Sequence, residues 1–230
     1  MSREDFYDSP LGAAYSAYME RPRFSRAIGG LIWGGDTGAY YESMAAVGEV
    51  PAGGMIVDCP CGAGPALRAL RPDAGVRYVA ADLSPAMLRR ARERAASRGL
   101  DQIEFVRAEA GELPLEDSSA DLFLSYWGLH CFPNPRAAID EIGRVLRPGG
   151  HLVGASFVRG PRLRQRIMLR PNRGDFGPMC TEPELLEWLA AARLTPTKKG
   201  RSGLYMFFEA RADGGEGSAE LGEDQAHADI

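Results

Sequence analysis

The sequence predicts an α/β fold: a doubly wound, seven-stranded, mostly parallel sheet with an antiparallel hairpin at one edge and N-terminal helices as a lid. Three observations carry this reading. Short apolar runs such as Met55-Ile56-Val57 and Val79-Ala80-Ala81 read as strands covered on both faces. Helix-period stretches separate them, which is the pattern of a parallel sheet with helices on either side. The first run ends in Asp58 and passes at once into Cys59-Pro60-Cys61-Gly62-Ala63-Gly64. That turn has little side-chain bulk, so a small ligand can touch backbone there.

The elements follow in order. Residues 1–54 hold helical patches around Leu11 to Glu20 and Tyr40 to Val47, and these form the lid over one end of the sheet. Met55 to Asp58 is the first strand and Pro65 to Leu70 a short helix. Val76 to Ala81 is a strand, and Ser84 to Arg98 a helix with Ser84 as N-cap, proline at its first position and Gly99 beyond its end. Ala86, Met87, Leu88, Ala91 and Ala95 form its apolar face among solvated arginines. Ile103 to Arg107 and Asp121 to Ser125 are strands. Pro135 to Leu146 is a helix stopped by Arg147-Pro148-Gly149-Gly150, and His151 to Val158 a further strand. Thr181-Glu182-Pro183-Glu184 has the spacing of a capping box and opens a helix with Leu185, Leu186, Trp188, Leu189 and Ala192 as its buried stripe. Thr195 to Gly200 and Leu204 to Ala210 make the edge hairpin. The organisation is thus a lid (1–54), a core (55–210) with a variable insertion (159–180), and an acidic disordered tail (211–230) carrying six carboxylates against Arg211.

Composition limits the function. With 230 residues, 45% of them apolar and 25% charged, the chain is long enough for a sizeable core. The formal net charge of -4 does not favour a nucleic-acid partner, which wants a surplus of Lys and Arg. Met1 to Pro10 lacks the apolar segment of a signal peptide, and no run approaches the ~20 apolar residues of a membrane span. Cys59, Cys61, Cys131 and Cys180 do not have zinc-site spacing, so no metal is expected. They read as buried free thiols of a cytoplasmic protein, monomeric or homodimeric.

The ligand can be narrowed from the turn outward. A dinucleotide fingerprint wants a small third residue for close helix–strand packing, and Gly62-Ala63-Gly64-Pro65-Ala66 puts Leu67 there. A phosphate loop ends in Gly-Lys-Ser/Thr, and this turn does not. The leading Asp58 suits a ligand with positive charge instead. The second strand also ends in an acid, Asp82, able to accept two hydrogen bonds from ribose hydroxyls, with Leu83 or Met87 placed to lie against adenine. Glu109, beside Ala110, is a third acid at the same edge.

On these residues the chain resembles the class I S-adenosylmethionine-dependent methyltransferases, in particular the small-molecule branch of the ubiquinone/menaquinone methyltransferases. The matching stretches are Val57 to Gly64, Ala81-Asp82-Leu83-Ser84-Pro85-Ala86-Met87-Leu88, Ala108-Glu109-Ala110-Gly111-Glu112-Leu113-Pro114-Leu115, Ser118 with Ala120-Asp121-Leu122, and Leu146-Arg147-Pro148-Gly149-Gly150. Each is weak alone, and their order and spacing carry the likeness. The resemblance implies a Rossmann-like fold and S-adenosyl-L-methionine as cofactor. It implies that Asp58 orients the methionine amino end, directly or through water. The backbone of Gly62 and Gly64 would line methionine and ribose, Asp82 the ribose hydroxyls, and Glu109 with the Ala110 N–H the adenine. Ser125, Tyr126 and Trp127 would lie beside the sulfonium and the methyl group. One departure stands out: Pro60 occupies the family's first glycine position. Proline fits there if the backbone is extended and not if φ must be positive.

The implied activity is methyl transfer to a small-molecule acceptor by in-line displacement. The alternatives are a protein that binds the cofactor without turning it over and, disfavoured by Leu67, a nucleotide-dependent oxidoreductase. His130 is the candidate base, or else a residue lining the pocket. Tyr7, Tyr15, Tyr18, Trp33 and Tyr40 are candidate walls of the acceptor pocket, with Tyr7 or Tyr15 alternatively closing over the methionine carboxylate. Arg159, Arg162, Arg164, Arg166, Arg170 and Arg173 form either a solvated basic face or a hold on an anionic acceptor.

Overall fold

Why these strands occupy the centre of the molecule follows from their burial. In the computed structural model, which describes residues 37–160 and 179–214, every residue of Met55–Asp58 (β1) is buried. So is all of Arg77–Asp82 (β2) except Arg77 itself. Burying each such Ile, Val or Leu contributes about 1.5–3 kcal/mol. The two sheet faces use alternate residues. Met55 and Val57 join one hydrophobic cluster with Val79, Phe123 and Ile139, while Ile56 joins the other with Tyr78, Ala80, Leu122 and Leu124.

The sheet has seven strands in the order β3-β2-β1-β4-β5-β7-β6. Here β3 is Ile103–Arg107, β4 Ala120–Tyr126, β5 Leu146–Phe157, β6 Leu194–Ser202 and β7 Tyr205–Ala212. Strands β1 to β5 pair in parallel, and β7 pairs antiparallel to both β5 and β6. The chain runs outward from β1 through β2 to β3, then returns to place β4 on the other side of β1. That reversal opens a crevice at the carboxyl ends of β1 and β4.

The helices are Gly38–Ser43 (α1), Pro85–Ser97 (α2), Pro135–Val145 (α3) and Glu182–Ala191 (α4), with short 3-10 turns at Met44–Glu49 and Pro65–Ala69. The capping residues act as their types predict. The Ser84 side chain accepts from Met87 N–H, and Thr181 and Glu184 form the reciprocal capping box. Gly99 has φ of +64°, as a residue past a helix end requires.

Most element ends shift by one or two residues from expectation, and three differences change the local structure. The Leu146–Gly150 segment is not only a turn, because it extends β5, pairing Leu146 with Ala120 before a register shift restores pairing at Leu122 and His151. The stretch after Gly64 tightens to 3-10 geometry. β7 runs to Ala212, two residues beyond the expected end of the core. The hairpin lies at the edge, with its later strand inside. Apolar Tyr205, Met206 and Phe208 are buried beside β5, whereas Thr195 to Arg201 is exposed throughout and carries the lysines and proline that protect an outer edge. Residues 1–36, 161–178 and 215–230 lie outside the described residues, and with them Tyr7, Tyr15, Tyr18, Trp33 and five of the six insertion arginines. No helix among the described residues is long and apolar enough to cross a membrane.

Candidate functional site

The glycine turn is built by stitching it to the strand tips on either side. Cys59 N–H donates to Leu124 O on β4, and Cys61 N–H to Ala81 O on β2. Pro60 keeps a negative φ and follows a cis peptide bond, while the positive φ values fall on Gly62 at +52° and Gly64 at +73°. The proline therefore sits at a position that does not need glycine's freedom, and the two positions that do need it hold glycine. A side-chain carbon on Gly64 would also lie 2.7 Å from Leu67 Cδ1.

Three carboxylates were expected at this edge, and the structure places them differently. Asp82 is 8% exposed, and it orients the turn itself: Oδ2 accepts from Gly62 N–H and Oδ1 from Ser84 N–H, both at 2.9 Å. Burial raises its carboxyl above the ordinary range, opposed by the N–H groups of Ser84 and Gly62. Asp58 is 2% exposed and accepts at 2.9 Å from the hydroxyl of Tyr78. No Lys or Arg among the described residues pairs with it. Burial pushes its carboxyl up to about 7, with the Tyr78 bond opposing and the neighbouring Asp82 charge adding to the rise. Glu109 is exposed and starts a tight turn in which Glu112 N–H donates to its carbonyl, while Ala110 beside it is buried.

Leu83 is the exposed large apolar side chain among the described residues, at 49%. It directly follows Asp82, so an apolar platform stands beside an oriented carboxylate. Met87, the alternative platform, is buried at 3%.

The β4 corner closes the other side. Tyr126 is buried and exchanges a hydrogen bond of 2.8 Å with Ser43 Oγ on α1. Burial raises its phenol well above the ordinary value. Ser125 alternates to the opposite face, and its hydroxyl is buried without a hydrogen-bond partner. Trp127 leaves the strand with φ of +59°. Gly128 then passes so close to the turn that a side-chain carbon there would lie 2.4 Å from Pro60 Cδ. His130 is 4% exposed, edge-on to Phe157 with ring centroids 4.6 Å apart. Its Nδ1 lies 3.1 Å from Ser156 Oγ and accepts from Phe157 N–H at 3.4 Å. With Nδ1 accepting, the neutral ring carries its proton on Nε2, and its lone pair faces the core.

The sequence reading missed Tyr78 and Ser43. Tyr78 shares the face of Ala80 and Asp82 by strand alternation, which is visible in sequence. The pairing of Asp58 with Ala80 that brings Tyr78 to Asp58 is not.

Whether S-adenosylmethionine fits can be judged from these atoms. A carboxylate buried with no cationic partner among the described residues, an oriented carboxylate at the second strand tip, a turn whose Gly62 is half-buried and an apolar platform are groups of the kinds its cation, ribose and adenine require. Asp58, Gly62, Gly64, Asp82 and Leu83 are groups of these kinds at the tips of β1 and β2.

Comparison with known proteins agrees. Residues 57–154 match the family model of the methyltransferase domain. The chain is 33% identical over 196 residues to an uncharacterised chloroplastic methyltransferase of Arabidopsis thaliana, an alignment covering 78% of this chain and 54% of that protein. It is 42% identical over 110 residues to the demethylmenaquinone methyltransferase of Clavibacter sepedonicus, covering 48% of this chain and 44% of the relative. The chain thus spans about half the length of the curated relatives it matches. Among solved structures, geranyl diphosphate C-methyltransferase from Streptomyces coelicolor A3(2), crystallised with S-adenosyl-L-homocysteine, superposes with a TM-score of 0.65 at 15% identity, covering 76% of this chain and 75% of that one. That likeness shows the shared fold. Residues 57–154 thus match the methyltransferase domain, and the chain resembles the class I S-adenosylmethionine-dependent methyltransferases and, among them, the quinone methyltransferases.

Proposed function

We propose that this protein transfers a methyl group from S-adenosylmethionine to a small-molecule acceptor. The observation that carries the reading is Asp58, a carboxylate buried beside the glycine turn with no cation of the described protein to balance it. When bound, the sulfonium cofactor supplies an electrophilic methyl group to an acceptor lone pair, its departing electron pair staying on sulfur. The protein's part is to bind, align and exclude water. Asp58 holds the ammonium end, Asp82 the ribose hydroxyls, and the Gly62 and Gly64 backbone the stretch between them. Leu83 lies against adenine, with Met87 packed behind it and Glu109 and Ala110 at its rim. Pro60 stiffens the turn against Gly128, while Ser125 and Tyr126 border the methyl group.

His130 walls the pocket in this reading, since its lone pair is engaged by Phe157 N–H. The acceptor side takes Trp127 and, from the undescribed N-terminus, Trp33 and Tyr15. The four free cysteines suit a reducing compartment, which supports a cytoplasmic location.

Isothermal titration with S-adenosylhomocysteine and with NAD tests the reading. Micromolar-range binding of the first and none of the second is expected. Binding of NAD alone would overturn it. Asp82→Ala should weaken S-adenosylhomocysteine by more than about tenfold, because it removes charge-assisted hydrogen bonds worth about 1.5–3 kcal/mol. Unchanged affinity in a folded variant would remove Asp82 from the site.

A further inference from the structure

The two buried carboxylates of the crevice are held in different ways. Asp82 is fixed by backbone, its oxygens accepting from Gly62 and Ser84 N–H. Asp58 depends on a side chain. Its donor among the described residues is the Tyr78 hydroxyl, 2.9 Å from Oδ2. The register explains the reach. Tyr78 pairs with Ile56 and Ala80 with Asp58, so Tyr78 stands one same-face step behind Asp58, and its long side chain carries the hydroxyl forward to the strand tip. Both residues are buried, Tyr78 completely.

Packing alone does not call for this hydroxyl. The Tyr78 ring belongs to the cluster of Ile56, Ala80, Leu122 and Leu124, where a phenylalanine ring would fill nearly the same volume. A buried hydroxyl needs a partner, and here the partner is itself costly to bury. Asp58 is faced by Asp82 from β2, by Cys59 and Cys61 from the turn and by Tyr126 from β4, with no cation among these groups. Burial, and after it the Asp58 charge, push the Tyr78 phenol well above its ordinary value, so the hydroxyl keeps its proton and remains a donor. Its bond favours the ionised carboxylate, against the effect of burial. Oδ1 differs from Oδ2. It has no donor among the described residues and is not one of the sealed, unpartnered polar atoms there, so the small exposure of Asp58 includes Oδ1. One oxygen is tied down inside the fold and the other is open.

We propose that Tyr78 is a positioning residue for the cofactor: by pinning Oδ2 it fixes the plane of the Asp58 carboxylate and presents Oδ1 to the ammonium group of S-adenosylmethionine. The inference rests on the methyltransferase reading above and adds to it a residue that acts through Asp58 alone. Without the hydroxyl the carboxylate is free to rotate and takes up a proton more readily, and both changes weaken its hold on a cation. Adenine and ribose, held at Leu83 and Asp82, do not depend on Tyr78.

Isothermal titration of the full chain and of its Tyr78→Phe variant tests this with two ligands. S-adenosylhomocysteine carries the ammonium group; 5′-methylthioadenosine has the same adenine and ribose without it. At pH 6, Tyr78→Phe is expected to bind S-adenosylhomocysteine about tenfold more weakly, the scale of one hydrogen bond to a charged group, and 5′-methylthioadenosine as tightly as the wild type does. The loss should narrow toward pH 8.5, where the carboxyl ionises even without its donor. An equal loss for both ligands would mean that Tyr78 serves the core only, and would overturn the inference. Unchanged S-adenosylhomocysteine affinity across the pH range would do the same. A second comparison stands even if the single substitution disturbs the fold. Asp58→Asn combined with Tyr78→Phe carries no charge at this position and should match Asp58→Asn alone in S-adenosylhomocysteine affinity. A further loss of more than about threefold would show that Tyr78 acts by another route. If the wild type binds neither ligand, the methyltransferase reading fails first. If it binds both and Tyr78→Phe behaves as the wild type, only the role of Tyr78 fails.

Discussion

Replacing Asp58 with Asn is expected to make the protein more stable at pH 8 while stripping it of cofactor affinity. In the unfolded chain this carboxyl ionises near 3.8, and in the fold near 7, because burial disfavours its charged form. The folded state therefore binds the proton more tightly. The stabilising contribution is fully present below pH 3.8, declines as pH rises, and is lost above about 7. The whole shift corresponds to about 4 kcal/mol at ~1.4 kcal/mol per pKa unit. Asn keeps the shape of the protonated acid and still accepts from the Tyr78 hydroxyl, so the variant escapes this decline. Urea denaturation of both proteins at pH 5 and pH 8 reads it as a stability difference that opens at the higher pH. Glu141 and Glu184 are shifted the other way, below the ordinary carboxylate value, and their effects cancel in the comparison. Parallel pH curves for the two proteins would show that Asp58 is not buried in its charged form.

The same proton governs binding. A cation placed beside Asp58 favours the ionised carboxylate, so cofactor affinity should rise about tenfold per pH unit up to about 7 and level off above it. The Asp58→Asn variant should bind S-adenosylhomocysteine about a hundredfold more weakly, with no such slope, the loss of a desolvated charge pair being worth about 3 kcal/mol or more. A site that is unfavourable to its own protein and favourable to a ligand has given up stability for function. Affinity independent of pH in the wild type would separate Asp58 from the cofactor.

Much of this arrangement could be read from the chain. Met55–Asp58 and Ile103–Arg107 are bounded in the structure as their apolar runs suggest; the first is buried throughout, while the second lies at the sheet edge and is only half-buried or exposed. Ser84, Pro85 and Gly99 mark helix ends because the backbone groups there have only local partners. Asp82 was legible for the same reason, standing just before a cap. Local signals did not reveal the pairings across strands. That Tyr78 would meet Asp58, or that Gly128 would rest on Pro60, depends on register and corner geometry set by the whole sheet. Nor does sequence show that the indole of Trp127 would be buried without an acceptor, since that is a property of everything around it. Sequence placed the carboxylates at one edge. The structure distinguishes their states: Asp82 tied to backbone N–H groups, Asp58 buried with no cation beside it among the described residues, Glu109 exposed.

The second large effect is expected away from the crevice, at Arg144. The segment 109–119 must cross from the carboxyl end of β3 to the start of β4 with no regular structure of its own. It is held along α3 by the side chains of Arg144 and Glu141, and at its end by Ser118 and Ser119 N–H donating to the carbonyls of Arg144 and Val145. Arg144 donates to the carbonyls of Leu113 and Leu115 at 3.1 and 2.8 Å, to both oxygens of Glu141 at 2.7 Å, and to Asp117. Glu141 in turn accepts from Leu113 N–H at 2.6 Å. Burial by itself would raise the Glu141 carboxyl, but the hydrogen bonds from Arg144 and Leu113 outweigh it and hold it below the ordinary value. Arg144→Ala removes the cation and leaves Glu141, 8% exposed, with a buried charge and two loop carbonyls unsatisfied. Breaking a buried pair from one side costs about 3–5 kcal/mol, and because a third of the Arg144 side chain reaches solvent the lower end applies. We expect a loss of about 3 kcal/mol in urea denaturation at pH 7. Arg144→Ala combined with Glu141→Gln should recover about half of it, since the neutral amide no longer buries an unpaired charge. If the double variant is as unstable as the single one, the cost lies in the lost carbonyl contacts to the loop and not in the charge on Glu141. If neither variant is destabilised, Arg144 does not hold the loop.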